Sequence, residues 1–183
     1  SYTLDMANYI KILRILLIVP ILLLASPDSD PINWIALVIF IIAGITDHLD
    51  GYIARKTLST SNLGALLDLV ADKLLIILTL LYFIYHASNI LLIVPSIIIV
   101  SREIAISSLR QLLTEKQGSN PVKVTLIAKS KTTLQIFAIS FLIISPNFGP
   151  TFFYLTITLF WLAAYVSVHS FYLYIKTYRN LLK

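Results

Sequence analysis

The sequence predicts an all-α integral membrane protein of six transmembrane helices with a polar cavity at the cytoplasmic face, and three observations carry that reading. Hydrophobic residues make up 58% of the 183-residue chain, charged residues only 13%, and the mean hydropathy is +0.88, too apolar for an ordinary soluble domain. Six apolar runs each have roughly the 20 residues that a helix needs to cross a bilayer. On that map all 14 lysines and arginines fall on the same side of the membrane as the N-terminus, and the opposite loops carry only Asp28 and Asp30 among charged residues. The positive-inside rule then puts both termini in the cytoplasm. An odd number of spans would scatter the basic residues.

The elements follow in order. Residues 2–12 are mixed polar and apolar and read as an interfacial lead-in, with Lys11 and Arg14 at the headgroup level. The first span, about residues 8–25, lacks a convincing cleavage site and is long enough to cross, so it is expected to remain as a helix. It ends in SPDSDP, a turn-rich segment. The second run, about 33–55, is apolar to Thr46 and then becomes DHLDGYIARK. After the loop KTLSTSNLG comes a third span, about 64–85, and HASN links it tightly to a fourth, about 90–113. That span carries Pro95 early and Arg102, Glu103 and Arg110 late. TEKQGSNPVKV reads as a solvated loop, followed by a fifth span, about 126–145, with AKSK near its start. SPNFGP turns the chain into the sixth span, about 151–175, and a basic tail closes it. No internal repeat or linker divides the chain, so residues 1–183 are expected to form one membrane domain.

Composition also narrows function. With no cysteine, disulfides and thiolate metal sites are excluded. The net charge of +5 is spread between apolar spans instead of forming one solvated face, so topology explains it better than nucleic acid does. The exception to the apolar pattern is the stretch from Asp47 to Asp72, which holds four of the nine acidic residues. Charge at membrane depth is expensive and marks function. Asp47 and Asp50 are three apart, and Asp68 and Asp72 four apart, so each pair projects from one helical face. The short loop between their helices lets the pairs face one another, with Asp72 roughly 12 Å further along its helix than Gly64. Four such carboxylates need a counter-charge, and oxygen-only ligands favour Mg2+ or Mn2+ over Zn2+. Paired ions of this kind clamp the attacking and leaving oxygens of a phosphoryl transfer. Gly51 and Gly64 would admit backbone or a nucleotide closely, and Arg55 offers a planar fork for phosphate.

Asp47, Asp50, Gly51, Ala54, Arg55, Gly64, Asp68 and Asp72 reproduce DxxDGxxAR, eight residues, then GxxxDxxxD. This pattern resembles the signature of the CDP-alcohol phosphatidyltransferases. In that family a hydroxyl attacks the lipid-linked phosphate of a CDP-linked lipid and CMP leaves. The resemblance implies that the four aspartates bind two divalent ions and that Asp72 is also the general base. It implies that Asp50, Gly51, Ala54, Arg55 and Gly64 hold the cytidine diphosphate, and it implies a six-helix homodimer. SREIAISSLR at 101–110 and IAKSKTTLQ at 127–135 resemble segments of the family's bacterial phosphatidylglycerophosphate synthases. NYIKILRILLIVP resembles their opening, departing in Lys11 where Thr is usual and in the spacing from Arg14 to Pro20.

The expected substrates are therefore CDP-diacylglycerol and sn-glycerol 3-phosphate, in a bacterial plasma membrane. Arg102, Arg110 and one of Lys129 and Lys131 are expected to hold the acceptor's phosphate, since a dianion needs several cationic donors. Lys129 and Lys131, two apart, turn to opposite sides of a helix, so only one should reach the cavity. Glu103 is expected to orient a neighbouring Arg. The bland alternatives are snorkelling arginines and an ion-pair network of the aspartates with Arg55, Lys56 and Lys73. Trp34, Trp161 and His48 read as packing or interfacial residues, and His86 and His169, with no acidic partner nearby in sequence, are assigned no chemistry. Within the superfamily, a cardiolipin synthase and an inositol-phosphate-type transferase stay open. From another class, a divalent-cation transporter is the rival, but it should carry polar residues through the whole membrane depth. IALVIFIIAG and LLIILTLLYF, the halves beyond the acidic stretch, are nearly free of them.

Overall fold

The computed structural model describes the backbone of residues 2–57, 62–117 and 126–182, and the side chains of residues 9, 12–46, 70, 73–113 and 131–179. Within these the chain is helical almost throughout: α1 (Tyr2–Leu24), α2 (Ile32–Thr57), α3 (Asn62–Ala87), α4 (Ile90–Gln117), α5 (Leu126–Ile144) and α6 (Pro150–Leu182), with a 3₁₀ turn at Ser145–Asn147 before α6. The six apolar runs of the sequence each became one helix. The ends differ where no breaker intervenes. The expected lead-in at 2–12 is already part of α1, because neither Gly nor Pro interrupts it. Likewise α4 continues through the polar residues 114–117 and α6 runs past 175 to Leu182.

Sharp local chemistry sets the short connections. Asp30 Oδ1 accepts the Ile32 N–H at 2.9 Å and caps α2, and Asn89 Oδ1 accepts the Leu91 N–H at 2.9 Å and caps α4. Between α3 and α4, Ser88 takes a left-handed φ of 45°, which stops one helix and re-aims the chain into the next. Gly149, at φ 79°, does the same before α6.

The core is built from large apolar side chains, among them Phe40, Leu80, Leu92, Ile99, Ile139, Leu142 and Phe160. Small residues set the closest approaches: Ala36, Ala43, Ala138, Ala163 and Ala164 are buried, and a Cβ on Gly44 would stand 3.3 Å from Ile136 Cδ1 of α5. The main helix pairs are α4 with α6, α1 with α2 and α3, and α5 with α6 and α2. Among the described residues, α2 and α3 each pack on α1 and α5 more than on one another.

Outside, large apolar side chains lie exposed along the helices: Leu16 and Leu23 on α1, Val38, Ile42 and Ile45 on α2, Ile97 and Ile104 on α4, Leu155, Leu162 and Val168 on α6. Water would not tolerate so continuous an apolar surface, but lipid would. Two stretches, Ile90–Leu113 and Pro150–Arg179, are long and apolar enough to cross a membrane, and Ile12–Leu24, Ile32–Thr46 and Lys73–Ala87 are shorter apolar helices. These are the features of a membrane protein.

Neutral polar contacts tie together the end of the bundle away from the aspartate-bearing stretch, here termed the distal end. Asn33, fully buried, accepts the Ser26 N–H at 2.7 Å and donates to Asp28 O at 3.0 Å and Asn147 Oδ1 at 2.8 Å. Asn147 in turn donates to Asp30 O at 2.9 Å, and the Tyr82 hydroxyl donates to Ala25 O at the end of α1. Trp34 meets Phe148 edge to face, with ring centroids 5.9 Å apart. One further contact repairs a helix. Pro95 has no N–H to give the carbonyl four residues back, that of Leu91. The Trp161 indole of α6 donates to Leu91 O at 3.0 Å.

Trp161→Phe should therefore lower stability in detergent by about 0.5–1.5 kcal/mol, the net worth of a typical hydrogen bond. In a Pro95→Ala background, where α4 can supply its own donor, the same change should cost less. Thermal unfolding of the two single variants and the double variant measures the coupling, and strictly additive effects would contradict it.

Candidate active site

The backbone of α2 runs unbroken through Asp47, Asp50, Gly51, Ala54 and Arg55, and that of α3 carries Gly64, Asp68 and Asp72. Their side chains lie outside the described residues. Among the described residues there is no group of three or more metal-ligating side chains. The distal contacts bring together the end of α1, the start of α2, the later part of α3, the start of α4 and the turn before α6. The opposite end therefore gathers the aspartate-bearing end of α2, the first half of α3, the second half of α4, the start of α5 and the second half of α6.

A buried polar cluster occupies that half of the bundle, where α4, α5 and α6 meet. Arg102, Glu103, Lys131, Gln135, Ser167 and Ser170 are all buried. Glu103 Oε1 is its centre. It accepts from Lys131 Nζ, from Gln135 Nε2 at 3.2 Å and from Arg102 Nη1 at 3.4 Å. Arg102 spends its other donors on α6: Nε donates to Ser167 O at 3.1 Å and Nη2 to Ser170 Oγ at 3.1 Å. Gln135 Nε2 also donates to Ser167 Oγ at 3.2 Å, while its Oε1 is buried with no hydrogen-bond partner. About two turns further along α4, the Arg110 guanidinium stands over the Tyr174 ring of α6, 5.9 Å from its centroid. It is within electrostatic range of both Arg102 and Lys131.

Helical spacing explains why these residues meet. Lys131 and Gln135 are four apart on α5, Ser167 and Ser170 three apart on α6, so each pair lies on one face. An apolar bundle leaves buried charge only two options, pairing or escape to water, and here it is paired. Among the described residues, Arg102, Arg110 and Lys131 set three cations around the one carboxylate of Glu103. The arrangement can hold an anion.

The structure thus places Arg102, Arg110 and Lys131 in the same half of the bundle, whereas the Lys129 side chain lies outside the described residues. Lys131 is turned into the bundle. Glu103 does orient an arginine, but its leading partner is Lys131, 28 positions away. Arg14, expected at the headgroup level, is instead fully buried on α1, the helix that packs on both α2 and α3. Gln135, Ser167, Ser170 and Tyr174 were not singled out in the sequence. Their only signal was small polar residues three or four apart in apolar helices. His86 and His169 stay apart from this chemistry, His86 bonding Tyr82 O at 2.9 Å and His169 stacking on Tyr165, and the His48 side chain lies outside the described residues. A cavity of about 470 Å³ at the distal end is lined mainly by apolar residues, including Phe83, Leu142, Pro146 and Phe153.

Comparison with known proteins adds to this geometry. The family model of CDP-alcohol phosphatidyltransferases matches residues 4–169. The chain is 34% identical over 175 residues to the CDP-diacylglycerol–glycerol-3-phosphate 3-phosphatidyltransferase of Rickettsia bellii, covering 94% of each chain. It is 40% identical over 134 residues to the protein of that name from Haemophilus influenzae, covering 72% of this chain and 71% of the other. With that of Shigella flexneri it shares 34% over 152 residues, 81% and 82% of the two chains.

Proposed function

The chain belongs to the CDP-alcohol phosphatidyltransferase family, and from that premise we infer that it transfers the phosphatidyl group of CDP-diacylglycerol to sn-glycerol 3-phosphate. Phosphatidylglycerophosphate and CMP are the products, so the protein is an enzyme of phospholipid biosynthesis. The observation that carries the choice of acceptor is the cluster of Arg102, Arg110 and Lys131, in the half of the bundle that holds the aspartates. An acceptor with a phosphate monoester needs such a cluster and a neutral alcohol does not, and among phosphate-bearing acceptors the names of the relatives favour sn-glycerol 3-phosphate over inositol phosphate.

We assign the reaction to this chain's residues as follows. Arg102, Arg110 and, of the two lysines, Lys131 hold the phosphate of the acceptor, whose free hydroxyl is thereby aimed at the lipid-linked phosphorus. Asp50, Gly51, Ala54, Arg55 and Gly64 hold the cytidine diphosphate. Asp72 takes the proton as the hydroxyl oxygen bonds to phosphorus and the bond to the CMP oxygen breaks. Asp47, Asp50, Asp68 and Asp72 are all-oxygen donors on two unbroken helices, a set that suits two hard divalent cations, Mg2+ or Mn2+. Such ions supply neutralisation of the pyrophosphate charge. All six helices span the membrane in this reading, with both termini and the site in the cytoplasm of a bacterial cell and the chain paired as a homodimer. The polar side chains at one end and the apolar cavity at the other favour a one-sided enzyme over a cation path.

Three outcomes test the assignment. In detergent, sn-glycerol 3-phosphate should support CMP release from CDP-diacylglycerol, whereas phosphatidylglycerol and inositol phosphate should not; release with either of these instead would move the protein to a sister activity. Asp72→Asn should keep CDP-lipid binding and lose turnover by about 100-fold or more, the usual scale for a positioned base. Near-normal turnover would remove Asp72 from the proton transfer. Excess chelator, or Asp47→Ala or Asp68→Ala, should abolish activity, and turnover that persists in chelator would rule out the divalent ions.

A further inference from the structure

We propose that Glu103 is a positioning residue for the acceptor: it holds Lys131 and Arg102 in the geometry that receives the phosphate of sn-glycerol 3-phosphate. The proposal rests on the acceptor pocket inferred above and adds a residue that does not itself touch the acceptor, since a carboxylate would repel a phosphate.

Three donors from three side chains converge on a single oxygen, Glu103 Oε1: Lys131 Nζ, Gln135 Nε2 at 3.2 Å and Arg102 Nη1 at 3.4 Å. A lysine is a point charge on a flexible stem, and in an apolar bundle it would otherwise turn toward the membrane surface. Glu103 keeps it inside. Arg102 is clamped from two sides, by Glu103 on its own helix and by Ser167 and Ser170 on α6.

Glu103→Gln keeps the size of the side chain and removes its charge. In membranes or detergent it should raise the KM for sn-glycerol 3-phosphate by on the order of tenfold or more, the scale of a lost charge-assisted hydrogen bond. The KM for CDP-diacylglycerol should stay within about twofold, because that substrate does not use the cluster. The decisive comparison is with Lys131→Met. If Glu103 acts through Lys131, adding Glu103→Gln to Lys131→Met should raise the acceptor KM much less than it does in the unmodified protein. Full additivity, an unchanged acceptor KM in Glu103→Gln, or equal changes for both substrates would overturn the proposal. Failure of the underlying pocket reads differently: Lys131→Met and Arg110→Ala would then leave the acceptor KM unchanged. Should Glu103→Gln not fold, Glu103→Asp is read in the same assay. It keeps the charge but draws it back by one methylene, and a selective rise in acceptor KM is again expected. If neither variant folds, Glu103 serves the stability of the bundle, and the positioning role is wrong.

Discussion

A carboxylate buried in an apolar helical bundle has to be neutralised where it stands, and the pairing of Glu103 with Lys131 does this at the junction of α4 and α5. Removing either partner would leave the other charged and desolvated, which is why the two helices cannot shift independently in this half of the bundle. Arg102 extends the constraint to α6 through the Ser167 carbonyl and the Ser170 hydroxyl. Three helices are thus cross-linked by charge at a single depth. The distal end is held differently, by neutral contacts of Asn33, Asn147, Tyr82 and Trp161, and its cavity wall is mainly apolar. That asymmetry of chemistry along the bundle axis is what makes a one-sided site possible.

Much of the fold was legible because hydropathy and breakers act locally. Six apolar runs became six helices, and Asp30, Asn89 and Gly149 marked boundaries by chemistry visible in the sequence. Helix ends were less legible, since polar residues such as those at 114–117 can end a membrane span without ending the helix. Pro95 was plain, but its remedy was not, because the indole that serves the Leu91 carbonyl comes from 70 residues away. The aspartate signature stood out for a related reason: its spacing is carried within two helices and needs no knowledge of how they pack.

The buried polar cluster was legible by halves. Arg102, Arg110 and Lys131 are cations in apolar helices and announce themselves by their cost. Gln135, Ser167 and Ser170 carry no charge, and nothing in their own helices says that they face a carboxylate on α4. Arg14 shows the converse limit. A basic residue early in the first span reads as a headgroup anchor, yet packing of α1 against α2 and α3 buries it completely.

In the proposed reaction, cations hold the acceptor's phosphate and aspartates serve the CDP-linked lipid, and the acceptor's own hydroxyl oxygen becomes the new ester oxygen. Isotope tracing tests that claim most directly. With sn-glycerol 3-phosphate labelled with oxygen-18 at its primary hydroxyl, mass spectrometry of the products should find the label retained in phosphatidylglycerophosphate and absent from CMP. Label in CMP, or loss of the label from the lipid product, would contradict attack of that hydroxyl on the phosphatidyl phosphorus.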